Sequence, residues 1–440
     1  MNSDQVPQRI AEAANAITMI VRASTEPANR GHAGAFLRKL SDAFWPAALT
    51  AALAVALDKN GQTYRIVDEA IASALRTGAH LEIVADLYNR LPRETVALQE
   101  TALEVARQTV IAMKDRGRVE IHPVGYLSIL NNYVGRLLQL DRIGDAGTYA
   151  QEAVTFAEAP NHSALPGAAP QRAKAMEQMS HVLGEMDRTP EALELMQKAR
   201  EIYQQLCGEG PEYKRDLAIC LNSEMVLLGN LEKREEAVEC GLAAAALFRE
   251  FLPAERYATG HFAEEGLQEW ITDVRPNLAT CLITLSSTLE DASRRQEAMD
   301  AAREAVQILS PLADETPEFR PLLGQALSNQ AMAFGWLENH AEELESVTAA
   351  VETFRELERF RPGAYRYFLA HTLRRQSLAL ARLDRIADSA QACRESVDLY
   401  RALQSVHPGA HQKELDGALE QLGLILQALG THGEADPANT

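Results

Sequence analysis

The 440 residues are 46% hydrophobic, 24% charged and 6% aromatic, which supports a continuous core and excludes a disordered chain. Lys and Arg number 43 against 62 Asp and Glu, and the resulting net charge of −19 argues against a nucleic-acid partner, whose phosphates most of this surface would repel. The five cysteines (Cys207, Cys220, Cys240, Cys281 and Cys393) form no CxxC pair and lie too far apart for a metal knuckle, so they read as buried thiols of a cytoplasmic protein.

Residues 1–10 lack the basic stretch and apolar run of a secretory signal. The longest apolar run, 43–57, contains Pro46 and is shorter than the roughly 20 residues of a membrane span, so no membrane contact is expected. It reads as a buried helix starting at or just after the proline. Residues 1–78 are expected to form a helical cap or degenerate repeats. Residues 79–121 read as a degenerate helix pair: Leu81, Val84, Ala85, Tyr88 and Leu91 share one helix face, Ala97 opens the next helix, and Val105 lies on it.

From residue 122 the chain repeats. Short polar joins precede a fixed position that holds Ala146, Ala192, Ala237, Ala298, Glu343 and Ser389, at spacings of 46, 45, 61, 45 and 46 residues. Sixteen residues before each of these anchors stand Leu130, Met176, Leu221, Leu282, Leu327 and Leu373. Nine before stand Leu137, Leu183, Leu228, Leu289, Phe334 and Leu380, and six before stand Leu140, Met186, Leu231, Ala292, Leu337 and Leu383. Offsets of seven and three predict that all three sets share one face of a helix A. Seven residues after the anchor come Ala153, Ala199, Ala244, Ala305, Ala350 and Ser396, where a small side chain lets helices approach. Four further on come Ala157, Tyr203, Phe248, Leu309, Phe354 and Tyr400, on helix B.

The long interval carries about sixteen extra residues between Phe251 and Pro276, including Tyr257, His261, Phe262 and Trp270. Two readings stand side by side: a loop on one face of the array whose Tyr257, Phe262 and Trp270 touch a partner, or a lengthened helix pair whose aromatics pack on the neighbouring repeat. Past the sixth repeat, Leu419, Leu422, Leu426 and Leu429 form one more helix A, a cap on the stack ending near 430. Residues 431–440 are expected to be a disordered tail.

The bulky, small, bulky order on helix A, with an alanine and an aromatic on helix B, resembles the tetratricopeptide repeat over residues 122–430. Ser180, Ser286, Ala331 and Ser377 match its small position, and Val134 and Met225 depart from it. The longer helix B is similar to the extended repeats of kinesin-light-chain-like arrays and of arrays attached to bacterial signalling NTPases. The resemblance implies an all-α fold, a right-handed α-solenoid of antiparallel helix pairs. It also implies a non-catalytic scaffold that holds a protein or peptide in its concave groove. The alternative implied by the signalling arrays is a ligand- or peptide-responsive sensor acting on a separately encoded effector or NTPase.

In such an array the groove is lined by the helix A positions 18 and 15 before the anchor. These are Ser128 and Asn131, Lys174 and Glu177, Ile219 and Asn222, Thr280 and Ile283, Gln325 and Ser328, and His371 and Arg374. Arg374, Arg375 and Arg382 form the most basic patch. The competing reading of each is an ordinary solvated helix face. Asn131, Lys174 and Asn222 are similar to a carboxylate clamp, but its basic residues in the third repeat are absent.

No catalytic constellation accompanies the repeats. GxxxxGK[ST], HExxH, GxSxG and HxE…CxxC do not occur. His407 and His411 have metal-like spacing, but Pro408-Gly409 between them breaks the helix that would aim both at one ion. No metal, cofactor or enzymatic activity is therefore expected.

Overall fold

The computed structural model describes Asp68, Ala72, Leu75 and Arg76, and then residues 99–208, 210, 212–252, 268–406, 409 and 411–434. All regular structure among them is helical. In chain order the helices are α1 (Gln99–Asp115), α2 (Pro123–Gln139), α3 (Ile143–Glu158), α4 (Pro160–Ser163), α5 (Ala168–Glu185), α6 (Thr189–Leu206), α7 (Glu212–Asn230) and α8 (Arg234–Glu250). They continue with α9 (Gln268–Asp291), α10 (Arg295–Glu315), α11 (Arg320–Trp336), α12 (His340–Phe360), α13 (Arg366–Arg382), α14 (Ile386–Val406) and α15 (Gln412–Glu434). The chain is an all-α solenoid of helix pairs, with helix A of the six repeats at α2, α5, α7, α9, α11 and α13.

The chain divides into two compact units, 1–202 and 203–440. In the first, α2 packs on α3 and both pack on α5. Leu130, Val134 and Leu137 of α2 and Ala146, Ala150 and Ala153 of α3 are sealed at 0% exposure. Asp68 caps α1 from a distance: Glu100 N and Thr101 N donate to its carboxylate at 2.8 and 2.7 Å. The rest of the cap expected over 1–78, and the helix expected over 81–91, lie outside the described residues. Val105 is buried in α1 as expected.

In the second unit α7–α8, α9–α10, α11–α12 and α13–α14 are antiparallel pairs, and α15 packs on α14. The anchors Ala237, Ala298 and Ser389 and the later small positions Ala244, Ala305, Ala350 and Ser396 are fully buried, and Tyr203, Phe248, Leu309, Phe354 and Tyr400 fill the space beside them. Where the anchor or small position is serine, the hydroxyl is spent on backbone: Ser389 Oγ donates to Ser377 O at 2.7 Å and Ser396 Oγ to Ala370 O at 2.6 Å. In the first unit Ser180 Oγ does the same to Ala192 O. A buried hydroxyl is tolerated because it finds an acceptor.

The joins between helices A and B share one backbone device. Asp141, Asp187, Glu232, Ser293, Glu338 and Asp384 all adopt φ between 56 and 61°, five residues before their anchors. The next residue's N–H reaches back over the helix end, as in Arg142 N to Leu137 O at 2.9 Å and Arg385 N to Leu380 O at 2.9 Å. The left-handed residue bonds one turn nearer, as in Asp141 N to Leu138 O at 3.1 Å. This is the Schellman closure, built six times without glycine. Helix B then opens on a basic residue paired with an acid three positions on: Arg142–Asp145, Arg188–Glu191, Lys233–Glu236, Arg294–Glu297 and Arg385–Asp388. All five pairs are exposed, so they mark the turn more than they stabilise it.

That turn corrects one expectation. The positions six before the anchor are not core: Met186 is 54% and Leu383 37% exposed, and Leu140 and Leu231 are half-buried. They are the last residues before the left-handed turn, where the backbone swings the side chain off the helix face. The position nine before is core, with Leu137 at 0% and Leu228 at 1%.

Of the two readings of the insertion, the lengthened helix agrees with the structure where it is described: α9 starts at Gln268, eight residues ahead of Pro276, so part of the extra length prolongs helix A, and Trp270 falls within it. Tyr257, His261 and Phe262 lie outside the described residues. α15 runs to Glu434, into the stretch expected as tail. Cys220, Cys240, Cys281 and Cys393 are buried and Cys207 is half-buried, all as free thiols. Burial pushes the Cys281 thiol up to about 12. No described helix is long and apolar enough to cross a membrane.

Candidate partner-binding surface

Within the second unit each helix A packs against the helix A of the next repeat: α7 on α9, α9 on α11, α11 on α13 and α13 on α15. The seam between them is closed by amides. Asn329 Nδ2 of α11 donates to Ile283 O of α9 at 2.9 Å, and Gln421 Nε2 of α15 donates to Arg374 O of α13 at 3.0 Å. In the first unit Gln178 Nε2 of α5 donates to Asn131 O of α2 at 2.9 Å. In each case an amide stands 46 or 47 residues after its acceptor, one repeat on and one position along. Sequence reasoning missed this ladder; the recurring Gln or Asn fourteen residues before the anchor was its signal.

The seam decides which groove candidates are open. The side chains fifteen before the anchor turn toward the following helix A and are largely enclosed: Asn131 is 3%, Glu177 4%, Ile283 9% and Ser328 9% exposed. Asn131 Nδ2 donates to Gln171 O of α5 at 2.8 Å, and Glu177 holds Lys174 Nζ at 2.8 Å. Asn131, Glu177 and Ser328 therefore sit in the seam and not on a free surface. Asn222 is half-buried, with its amide oxygen enclosed and unpartnered. Eighteen before the anchor, Ser128 and Thr280 are exposed, and Lys174, Gln325 and His371 are half-buried. Eleven before it, a position sequence analysis left aside, Val226 is 42% and Leu378 40% exposed.

At the C-terminal end of the second unit these positions converge on a basic and aromatic cluster. Tyr367, His371, Arg374 and Arg375 lie on α13, and Tyr400 approaches from α14. The Tyr367 ring lies 6.1 Å from the His371 ring and 4.7 Å from that of His411. Burial, reinforced by Arg375 and Arg374, holds the His371 imidazole down at about 4, so it is neutral near pH 7. Arg375 is lowered by burial despite Glu290 beside it. Arg382, expected in the same basic patch, is spent elsewhere, on Glu343 at 2.5 Å.

Glu290 of α9 is pushed up to about 7, chiefly by burial and against the pull of Arg375. Its folded value stands above its unfolded one, so its stabilising contribution is full at pH below the ordinary carboxylate value and is lost as pH rises through 7. Glu290→Gln is expected to raise stability at pH 8, by on the order of 1 kcal/mol after solvent screening, and to leave it unchanged at pH 4. Urea denaturation at the two pH values checks this; an equal effect at both would mean that the carboxylate is not desolvated.

No group of three His, Cys, Asp or Glu among the described residues is arranged to hold a metal ion.

A family model described as tetratricopeptide repeat matches residues 172–212. No curated protein matches the chain. Among solved structures, the signal-transduction ATPase with numerous domains and a tetratricopeptide repeat sensor from Pyrococcus horikoshii is similar, with a TM-score of 0.50 at 10% identity, over 88% of this chain and 54% of its own. This chain thus spans about half of that protein. BtubC (BKLC) from P. vanneervenii is similar at TM-score 0.46 and 14% identity, over 60% of this chain and 94% of its own. Aspartyl phosphate phosphatase F from Bacillus subtilis reaches 0.44 and 14%, over 97% and 94%. Likenesses at such identity speak to the fold alone.

Proposed function

We propose that this chain, an all-α solenoid of helix pairs whose residues 172–212 match a tetratricopeptide-repeat model, is a non-catalytic scaffold that binds a protein or peptide on the helix A side of its repeats. The observation that carries the reading is the division of labour on helix A. The positions sixteen, twelve and nine before the anchor build the core, and fifteen before it Asn131, Glu177, Ile283 and Ser328 close the seam, whereas Asn222 and Arg374 are only half-buried. The position eleven before leaves Val226 and Leu378 more than a third exposed, with no structural duty. Exposed apolar side chains at this position in the third and sixth repeats, outside the core, favour a contact surface there. Ser128, Lys174, Gln325 and His371 lie seven residues earlier on their helices, the same face by helical spacing, and add polar groups to that row. Asn222, Arg374 and Arg375 complete the contact set of this reading.

Affinity capture with mass spectrometry from the source cells tests it. The wild-type chain is expected to retain a defined protein that a Val226→Arg/Leu378→Arg variant loses, with helicity unchanged because both side chains are at the surface. Capture of the same proteins by both, or of none by either, would count against a helix A docking surface.

A further inference from the structure

A cleft of about 310 Å³ opens between α12, the helix B of the fifth repeat, and the α13–α14 pair of the sixth. Its floor is apolar, with Leu373, Leu380 and Ala392 all buried. Gln376 of α13 lines it, two residues from Leu378 and therefore on the opposite face of that helix from the exposed row of Val226 and Leu378. The charged residues that line the cleft are Arg355, Arg385, Asp388 and Glu395, and they pair off. Arg355 Nη2 donates to both oxygens of Glu395 at 2.8 and 2.9 Å, and Arg385 Nη2 donates to Asp388 at 2.6 Å. Two closed ion pairs leave no net charge at the rim. An ionised occupant would be desolvated there without a counter-charge, so the cleft suits a neutral one.

Comparison between repeats shows what the cleft lacks. Gln376 and Ala392 stand thirteen residues before the anchor and three after it, where the first repeat has Tyr133 and Tyr149. Those two rings meet edge to face with centroids 4.8 Å apart, closing the gap between α2 and α3 and leaving Tyr133 3% exposed. The second repeat has Met179 and Leu195 at these positions, and in the fifth Ser346 Oγ donates to Gln330 Oε1 at 3.2 Å. In the sixth, Ala392 is too short to meet its counterpart. The Gln376 amide turns instead to Thr348 Oγ1 of α12 at 3.0 Å, and the space over Ala392 stays open. An aromatic ring is what this chain itself puts in that gap.

Size and access narrow the occupant further. The volume lies at the lower end of ligand pockets, which begin at roughly 300 Å³, so the cleft admits a ring and not a cofactor. Arg385, Asp388 and Gln391 are exposed along its α14 edge. A free small molecule would keep that side in water, whereas a ring carried on a polypeptide brings neighbouring residues to cover the opening. An apolar body with a polar tip matches an apolar floor under a polar rim.

We propose that this cleft is a second contact site, which takes a tyrosine side chain of a protein partner. The ring rests on Leu373, Leu380 and Ala392, and the hydroxyl meets the polar rim at Gln391 and Glu395. The site is separate from the helix A row, and its failure leaves the scaffold reading untouched.

The test is selection of random short peptides on the immobilised full chain, in parallel with Q376Y/A392Y, which rebuilds the ring pair of the first repeat and fills the cleft. The wild type is expected to enrich peptides that share a tyrosine at one position. A synthetic peptide of the selected sequence should bind at least about tenfold more weakly when that tyrosine is replaced by alanine, and by a similar factor to Q376Y/A392Y. If Q376Y/A392Y loses its helical circular dichroism, A392L takes its place, a filling that the second repeat already accommodates as Leu195. Enrichment without a shared aromatic residue, absence of any enriched peptide, or tyrosine peptides that bind the filled variant as well as the wild type each overturn the proposal. Tighter binding of the same peptide with its tyrosine phosphorylated would assign the cleft to a phosphopeptide and overturn the uncharged occupant.

Discussion

Leu183→Ala and Leu380→Ala each lower stability by about 2 to 5 kcal/mol, whereas Met186→Ala and Leu383→Ala, three residues further along the same helices, change it by less than about 0.5 kcal/mol. All four are large apolar residues at recurring positions of the repeat. They differ in what surrounds them: Leu183 and Leu380 are 3% and 5% exposed between the two helices of their repeats, while Met186 and Leu383 are 54% and 37% exposed at the helix end. Truncation at the first pair removes transfer free energy and leaves a cavity that close-packed neighbours fill only in part. At the second pair it removes atoms that water already reaches. Leu228→Ala, at 1% exposure, belongs with the costly set. Glu232→Ala belongs with the neutral one, since it exchanges one non-glycine residue for another at φ 59°. Urea denaturation of the six variants measures the contrast. Equal losses at positions nine and six before the anchor would mean that the turn does not divert the chain as described.

This contrast also shows how far the fold was legible. The period and the small anchors were readable because close helix approach admits only Ala, Ser or Gly on a shared face, and that restriction survives in the residues themselves: Ala153, Ala199, Ala244, Ala305 and Ala350 recur in step and are all fully buried. The aromatic position was readable for the same reason, one bulky residue per gap, from Tyr203 to Tyr400. The turn was visible as an interval but not as a conformation, because Asp, Glu and Ser at φ near 60° carry no glycine signature. Periodicity therefore carried helix A one residue past its end and set Met186 on the face shared with the core positions.

The binding surface was less legible. Sequence spacing assigns positions to a face, but whether that face meets solvent or the next repeat depends on how the repeats tilt. Asn131 and Glu177 share a face with Ser128 and Lys174, yet the first two close the seam and the second two stay accessible. Arg374 and Arg375 stood out in the sequence as charge, but the enclosure of their Nε atoms is visible only in the structure.

The fifth repeat supplies the second large effect. Its anchor is Glu343 where the others have Ala or Ser, and the carboxylate is nearly as buried, its side chain 8% exposed. It is accommodated by leaving the contact plane over Gly335, where a Cβ would stand 2.6 Å from both Glu343 Oε1 and Arg382 Nη1. Arg382, from helix A of the sixth repeat, holds that carboxylate at 2.5 Å, and His340 Nδ1 lies 3.3 Å from its other oxygen. The two arms of this pair are not equivalent. Arg382 is 43% exposed and regains water if its partner is lost, whereas Glu343 has no such recourse. Arg382→Ala is therefore expected to cost about 2 to 3 kcal/mol, below the usual range for breaking a fully buried pair because one side is solvated. Glu343→Ala restores the small anchor of the other repeats, lets Arg382 return to solvent, and is expected to be neutral within about 1 kcal/mol or stabilising. The double variant should recover most of the loss seen with Arg382→Ala, a coupling that a double-mutant cycle in urea reads directly. If Glu343→Ala proves as destabilising as Arg382→Ala, the ion pair contributes net stability to the join between the fifth and sixth repeats. The asymmetry of burial would then not govern the pair.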